Sequence, residues 1–213
     1  MISKQRYETM KKEFGTISSW AVWAPVVDSP KSGVGDLSVF ESSDLLDVLN
    51  PNYVFVGLNC SSTHIPKPGS PSVRIWGNFH CRHRGGKDAN LRDALTGTEY
   101  EGAYLTDILK YADQPLASKV RKHFKEYPDE LQAHFDKFYR EIDLLGDVET
   151  IFVFGSDALY YVLQCEDKLR EMGVQHIIPL IHYSAPKMYK RGAYRDYFQK
   201  IIKNELRISD LKR

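Results

Sequence analysis

Cysteine is scarce in this chain, with three among 213 residues, at Cys60, Cys81 and Cys165. An odd number at such wide spacing fits reduced thiols better than a disulfide framework, and a four-cysteine iron–sulfur cluster is excluded within one chain. Long apolar runs are also missing. The strongest, such as Ile177 to Ile181, fall far short of the ~20 residues a membrane helix needs. Met1 to Lys12 carries Lys4, Arg6, Lys11 and Lys12 with no apolar segment behind them, so no secretory signal is read and a cytoplasmic protein is expected. Charge of one sign is not in excess either. Lys+Arg number 29 against 28 Asp+Glu, a formal +1, which excludes a chain built to coat a polyanion indiscriminately. A glycine-rich phosphate cradle is absent, because Gly33-Val34-Gly35 has no third glycine opening a helix and no GxxxxGKS or GxxxxGKT run occurs. No cofactor is expected.

What is present is an ordinary globular composition, 42% hydrophobic and 27% charged. The length suits one α/β domain over residues 1–213, with 1–50 as a helical or irregular extension packed on it. Four β-rich runs stand out: Tyr53 to Leu58, Ala103 to Ile108, Thr150 to Phe154 and Gln175 to Tyr183. Their near-continuous apolar content is what strands buried on both faces require. Helical spacing runs between them, over Pro128 to Leu145, Ser156 to Met172 and about Lys190 to Leu206. Strand, helix and strand from Thr150 to Tyr183 make a parallel crossover unit. The expected architecture is a three-layer sandwich with a central four-stranded parallel sheet covered by helices on both faces. Ser61 to Asn90, broken by prolines and glycines, reads as a long functional loop carrying His64, Trp76, Phe79, His80 and His83.

In an open parallel sheet ligands bind at the carboxyl ends of the strands. Those ends are polar here: Asn59-Cys60-Ser61-Ser62, Thr106-Asp107, Gly155-Ser156-Asp157 and His182-Tyr183-Ser184. His182 could donate a hydrogen bond or stabilise developing negative charge, or simply shape a turn. Asn59 could orient a water or an amide edge, or serve as a strand-end turn residue. Trp76 and Phe79 offer a stacking face for a planar base, or an apolar lid. Cys60, His64, His80, Cys81 and His83 are zinc-type side chains, yet neither CxxC nor HxxxH spacing occurs, so no metal is expected. Cys60 as a nucleophile with His182 as its base is a further chemical possibility.

Charge is unevenly placed. From His182 to Arg213 nine basic residues face three acidic ones, and Arg74 to Arg92 holds five against Asp88 alone, whereas Glu141 to Glu171 has eight acidic residues and two basic. Such segregation suits a small phosphate footprint, or a set of solvated helix faces.

Taken together, these motifs resemble the uracil-DNA glycosylase superfamily. Gly57-Leu58-Asn59-Cys60-Ser61 is similar to its G-x-D/N-P segment, and His182-Tyr183-Ser184-Ala185-Pro186 to its H-P-S-x-L loop. Gly102 to Lys110 resembles the strand ending in T-D/N-x-V/I-K, and Val153 to Ala158 the strand and helix start that follow. The four occur in order over Tyr53 to Tyr189. The resemblance implies a DNA N-glycosylase acting on uracil or a related damaged base, or a catalytically silent nucleic-acid or nucleotide binder of the same fold. It implies that Asn59 positions the attacking water and His182 stabilises the departing base. Phe79, or less readily Trp76, would stack on the flipped base, with Gly57, Ser61 and Asp107 around it. Ser184, Lys187, Lys190 and Arg191 would hold the DNA backbone, and Met188 would wedge into the duplex. The implied partner is single- or double-stranded DNA with a damaged base, bound by a monomer without metal or membrane. Cys60 and Tyr183 stand where relatives carry prolines, and Asn59 in place of Asp would orient water without acting as a general base. Asp107 stands where an Asn often reads the base edge; it could accept a uracil N–H but would repel an anionic leaving group unless protonated.

Overall fold

A computed structural model describes residues 1–29, 31–59, 74–81, 87–110 and 117–210. The apolar runs are strands: β2 (Asn50–Asn59), β3 (Ala103–Leu109), β4 (Thr150–Phe154) and β5 (His176–Leu180). One strand more than expected completes the sheet, the two-residue β1 (Ser19–Trp20). The order is β1-β3-β2-β4-β5, with β1 antiparallel to β3 and every other pair parallel. So short a strand has no periodicity to read; pairing with Tyr104 and Leu105 creates it. Pro179 lacks a ladder donor, and β5 tolerates it because the strand lies at the opposite edge.

Alternate residues of the strands enter two apolar cores. On one face Val54, Val56, Ile108, Ile151 and Val153 pack with α1 (Lys4–Phe14), α5 (Pro128–Leu145), α6 (Gly155–Gln164) and α7 (Glu166–Glu171). On the other, Phe55, Leu105, Phe152 and Phe154 pack with α3 (Asp88–Leu95) and α8 (Ala193–Asp210). Burial on both sides explains why the strands read as unbroken apolar runs. The remaining helices are α2 (Leu45–Val48) and α4 (Ala117–Glu126).

The helix α5 has the bounds its pattern predicts, with Pro128 in its first turn and Asp129 and Glu130 complementing the dipole. The single helix expected over Ser156 to Met172 is two, broken at Cys165. Val162, Cys165 and Leu169 are all buried, so the apolar stripe crosses the break without showing it. The last helix starts at Ala193 because Gly192 has φ 79°. Among the described residues no helix is long and apolar enough to cross a membrane.

Candidate active site

The carboxyl end of β2 lies between those of β3 and β4, where the chain's direction of winding across the sheet reverses. Register sets Gly57 beside Asp107, with both side-chain positions on the α3/α8 face. A Cβ at Gly57 would fall well inside contact distance of Asp107 Oδ1 and in ordinary contact, 3.7 Å, with Phe79 Cζ, so only glycine leaves the Asp107 carboxyl its place beside Phe79. Gly57→Ala is expected to displace Asp107 at a cost of ~1–3 kcal/mol, readable as a lowered Tm.

Asp107 is 5% exposed, and its Oδ2 accepts from Asn78 Nδ2 at 2.8 Å. Burial pushes its pKa up to about 6, against the lowering effects of the Asn78 hydrogen bond and the Lys110 charge. Folding therefore favours the protonated acid, and this contribution, full below the ordinary 3.8, is lost as pH rises through 6. Asp107→Asn is expected to exceed wild type in stability by on the order of 2–3 kcal/mol at pH 8 and by nothing at pH 4, measured by urea denaturation.

Phe79 is presented by a turn in which both it (φ 61°) and Trp76 (φ 59°) adopt the left-handed region, unusual for bulky side chains. The amino-terminal segment holds that turn. Trp76 N–H donates to Gly15 O at 2.6 Å, Ser19 Oγ donates to Trp76 O at 2.8 Å, and Asn78 Nδ2 also donates to Ile17 O at 2.8 Å. Trp76 itself is 1% exposed, its Nε1 donating to Tyr7 Oη at 2.9 Å, among Tyr7, Trp20 and Phe40. The expectation of Trp76 as an alternative stacking face is thus corrected: its ring fills the opposite core, and of the two rings it is Phe79 that reaches Gly57. His80 is fully buried between the carbonyls of Val34 and Trp20, and desolvation lowers its pKa to about 4.

His182 follows β5. Its Nδ1 accepts from the Ser184 backbone N–H at 3.1 Å, with Ser184 Oγ at 2.8 Å. Desolvation lowers its pKa to about 4, so the imidazole is neutral at pH 7 and its one proton sits on Nε2. Tyr183 stacks on it, ring centroids 4.6 Å apart and 27° between planes, and also stands 6.5 Å from Phe79. Asp88 on α3 accepts from the Cys81 backbone N–H at 2.7 Å, and its negative charge, after burial, helps to hold the Tyr183 hydroxyl protonated. Asn90 donates to the carbonyls of Tyr183 and Met188 at 3.1 and 3.2 Å, fixing the turn after β5 to α3.

The family model of the uracil DNA glycosylase superfamily matches residues 44–204. The chain belongs to that superfamily. No curated protein matches it. The match spans α2 to most of α8 and leaves out, of the groups just described, only those before residue 44 that pack around Trp76, Phe79 and His80.

Within this superfamily member, Gly57, Phe79, Asp107 and the His182-to-Ser184 segment gather at one end of the sheet. Asn59, the last residue of β2, is half-buried there. Ser61, with Cys60, His64 and His83, lies outside the described residues. Met188, expected as the wedge, is 7% exposed in the α3/α8 core, and its neighbour Tyr189 is 55% exposed instead. The one-turn 3-10 helix Pro186–Met188 rotates Met188 inward, against α8. Lys187, Lys190 and Arg191 are exposed, and Lys87 Nζ lies 3.9 Å from the Tyr189 ring centre.

The groups missed from sequence, Asn78, Asp88, Asn90 and the Lys110–Glu141 pair, all act through other residues. Lys110 and Glu141 form an ion pair with both side chains fully buried on the α5 side of β3. Lys110 Nζ also donates to Thr106 Oγ1 at 2.6 Å and to the Asp107 carbonyl, while Glu141 Oε1 accepts from Tyr104 and Thr106 at 2.8 and 2.9 Å. The end of β3 that carries Asp107 is thereby tied down from behind.

Proposed function

We propose that the protein hydrolyses the N-glycosidic bond of uracil or a related damaged base in DNA. The observation carrying this reading is the convergence of Phe79 and Asp107 over Gly57, next to a neutral histidine held in one tautomer. Such chemistry requires a base taken out of the stack, enclosed by apolar side chains and read at its edge. Phe79 supplies the face, Asp107 the edge group, and Gly57 the room. Asn59 orients the water whose oxygen bonds to C1′ as the C1′–N bond breaks. The bond's electron pair enters the base, and His182 Nε2–H donates to the base oxygen where charge develops, a role suited to an uncharged, preorganised donor.

Ser184, Lys187, Lys190 and Arg191 hold phosphates in this reading, and the exposed Tyr189 takes the duplex-facing place in Met188's stead. The protein works as a cytoplasmic monomer without a metal. A silent nucleic-acid binder is the second reading, favoured by the amide of Asn59 where a stronger base would sit.

Single- and double-stranded oligonucleotides bearing one uracil, incubated with the protein and then treated with alkali, separate the two. Strand scission that disappears in Asn59→Ala supports hydrolysis. Salt-sensitive binding without scission supports the silent reading.

A further inference from the structure

The carboxyl of Asp107 is fixed asymmetrically. Asn78 cannot be turned around, because its Oδ1 accepts the Phe79 backbone N–H at 3.1 Å while its Nδ2 donates to Ile17 O and to Asp107 Oδ2, each at 2.8 Å. Oδ2 is therefore committed as an acceptor, and a proton on this carboxyl belongs on Oδ1. Among the described residues Oδ1 has no hydrogen-bond partner, and it lies over Gly57 in the space that Phe79 Cζ also borders. A side chain so arranged presents one hydroxyl, at the edge of the aromatic face on which a base would lie.

We propose that Asp107 works as a neutral carboxylic acid whose Oδ1–H passes its proton to the base as the glycosidic bond breaks. The inference rests on the hydrolase reading above and extends it to the role of the edge group and to the substrate class: a base that turns a carbonyl oxygen or an unprotonated ring nitrogen toward Oδ1. The C1′–N bond breaks with its electron pair going to the base. The Oδ1 proton moves to the base acceptor, which leaves neutral, and Asp107 becomes a carboxylate. Water oxygen bonds to C1′ and its released proton restores the acid. The repulsion that a carboxylate would exert on an anionic leaving group is removed, since no anion is released beside it.

The charges around Asp107 suit this. Lys110, directly after β3, favours the carboxylate, Glu141 on α5 and Asp88 on α3 oppose it, and Tyr183 and His182 after β5 are uncharged. Burial tips the balance, holding the acid's pKa near about 6, within reach of physiological pH.

Single-turnover cleavage of the uracil oligonucleotide between pH 5 and 9 tests it. Wild type is expected to lose about tenfold in rate per pH unit above 6, reaching about 100-fold at pH 8. Asp107→Asn, whose Nδ2–H can hydrogen-bond but cannot give up its proton, is expected to be flat over this range and at least tenfold slower than wild type at pH 5, and equal rates there overturn the proton transfer. Asp107→Leu, which cannot donate, is expected to be slow throughout, with its fold checked by thermal melting. Wild-type cleavage that is flat or rising from pH 6 to 8, or a falling limb that survives in Asp107→Asn, overturns the proton-transfer role and leaves the hydrolase reading intact. No cleavage by either protein at any pH overturns both.

Discussion

Loss of His182 is expected to slow base release by about 10²–10³-fold, the usual effect of deleting one preorganised donor to a developing oxyanion. His182→Ala should show this in single-turnover cleavage with little change in oligonucleotide affinity, because the donor matters most where charge accumulates. His182→Gln, which keeps an N–H at similar reach, should recover part of the loss. The pH dependence distinguishes a neutral from a cationic role. With its pKa lowered to about 4 by desolvation, the imidazole does not titrate between pH 5.5 and 8. In the Asp107→Asn background, where the other titrating group is gone, the rate should therefore be level across that range. A rate that fell through pH 6 to 7 in this variant would instead mark His182 as an imidazolium. The linkage has a definite sign: a histidine lowered from 6.5 contributes stability that is present above 6.5 and lost as pH falls toward 4.

Breaking the buried Lys110–Glu141 pair is expected to be the most destabilising single change discussed. In Lys110→Met the carboxylate of Glu141 stays fully buried without its counter-ion, a situation that costs ~3–5 kcal/mol. For a chain of this size that corresponds to a fall in Tm of roughly 6–20 °C by thermal melting. The double variant Lys110→Met/Glu141→Gln removes both charges and should return most of the loss, since the expense lies in the orphaned charge and not in the missing attraction. Tyr104 and Thr106 can still donate to the Gln carbonyl. Equal melting temperatures for wild type and Lys110→Met would show that the pair contributes nothing to holding β3 against α5.

The positions of these groups were unequally legible. Asn59, Asp107 and His182 could be picked out because strand ends are visible as the points where apolar runs stop, and ligand sites gather at strand ends in parallel sheets. The candidate stacking residue could only be narrowed to Phe79 or Trp76, three residues apart in a segment with no regular period. Which ring faces the site depends on the Tyr7 hydroxyl and the Gly15 carbonyl, which capture Trp76 from 69 and 61 residues earlier in the chain. Met188 and Tyr189 present the same difficulty, because a single 3-10 turn decides which of two neighbours is buried. Supporting residues such as Asn78, Asp88 and Asn90 carried no motif at all, since their partners are backbone atoms or side chains distant in sequence.

By itself the sequence determined the α/β class, the four parallel strands, the strand ends that carry the candidate site and the superfamily, because each of these is written in local apolar patterning and short motifs. Only the tertiary structure decided the fifth strand, the choice of Phe79 over Trp76, the neutral tautomer of His182 and the one-sided hydrogen bonding of Asp107. Those properties come from burial and from contacts across long stretches of chain, and a residue's neighbours in space, which set its charge and its orientation, are not its neighbours in sequence.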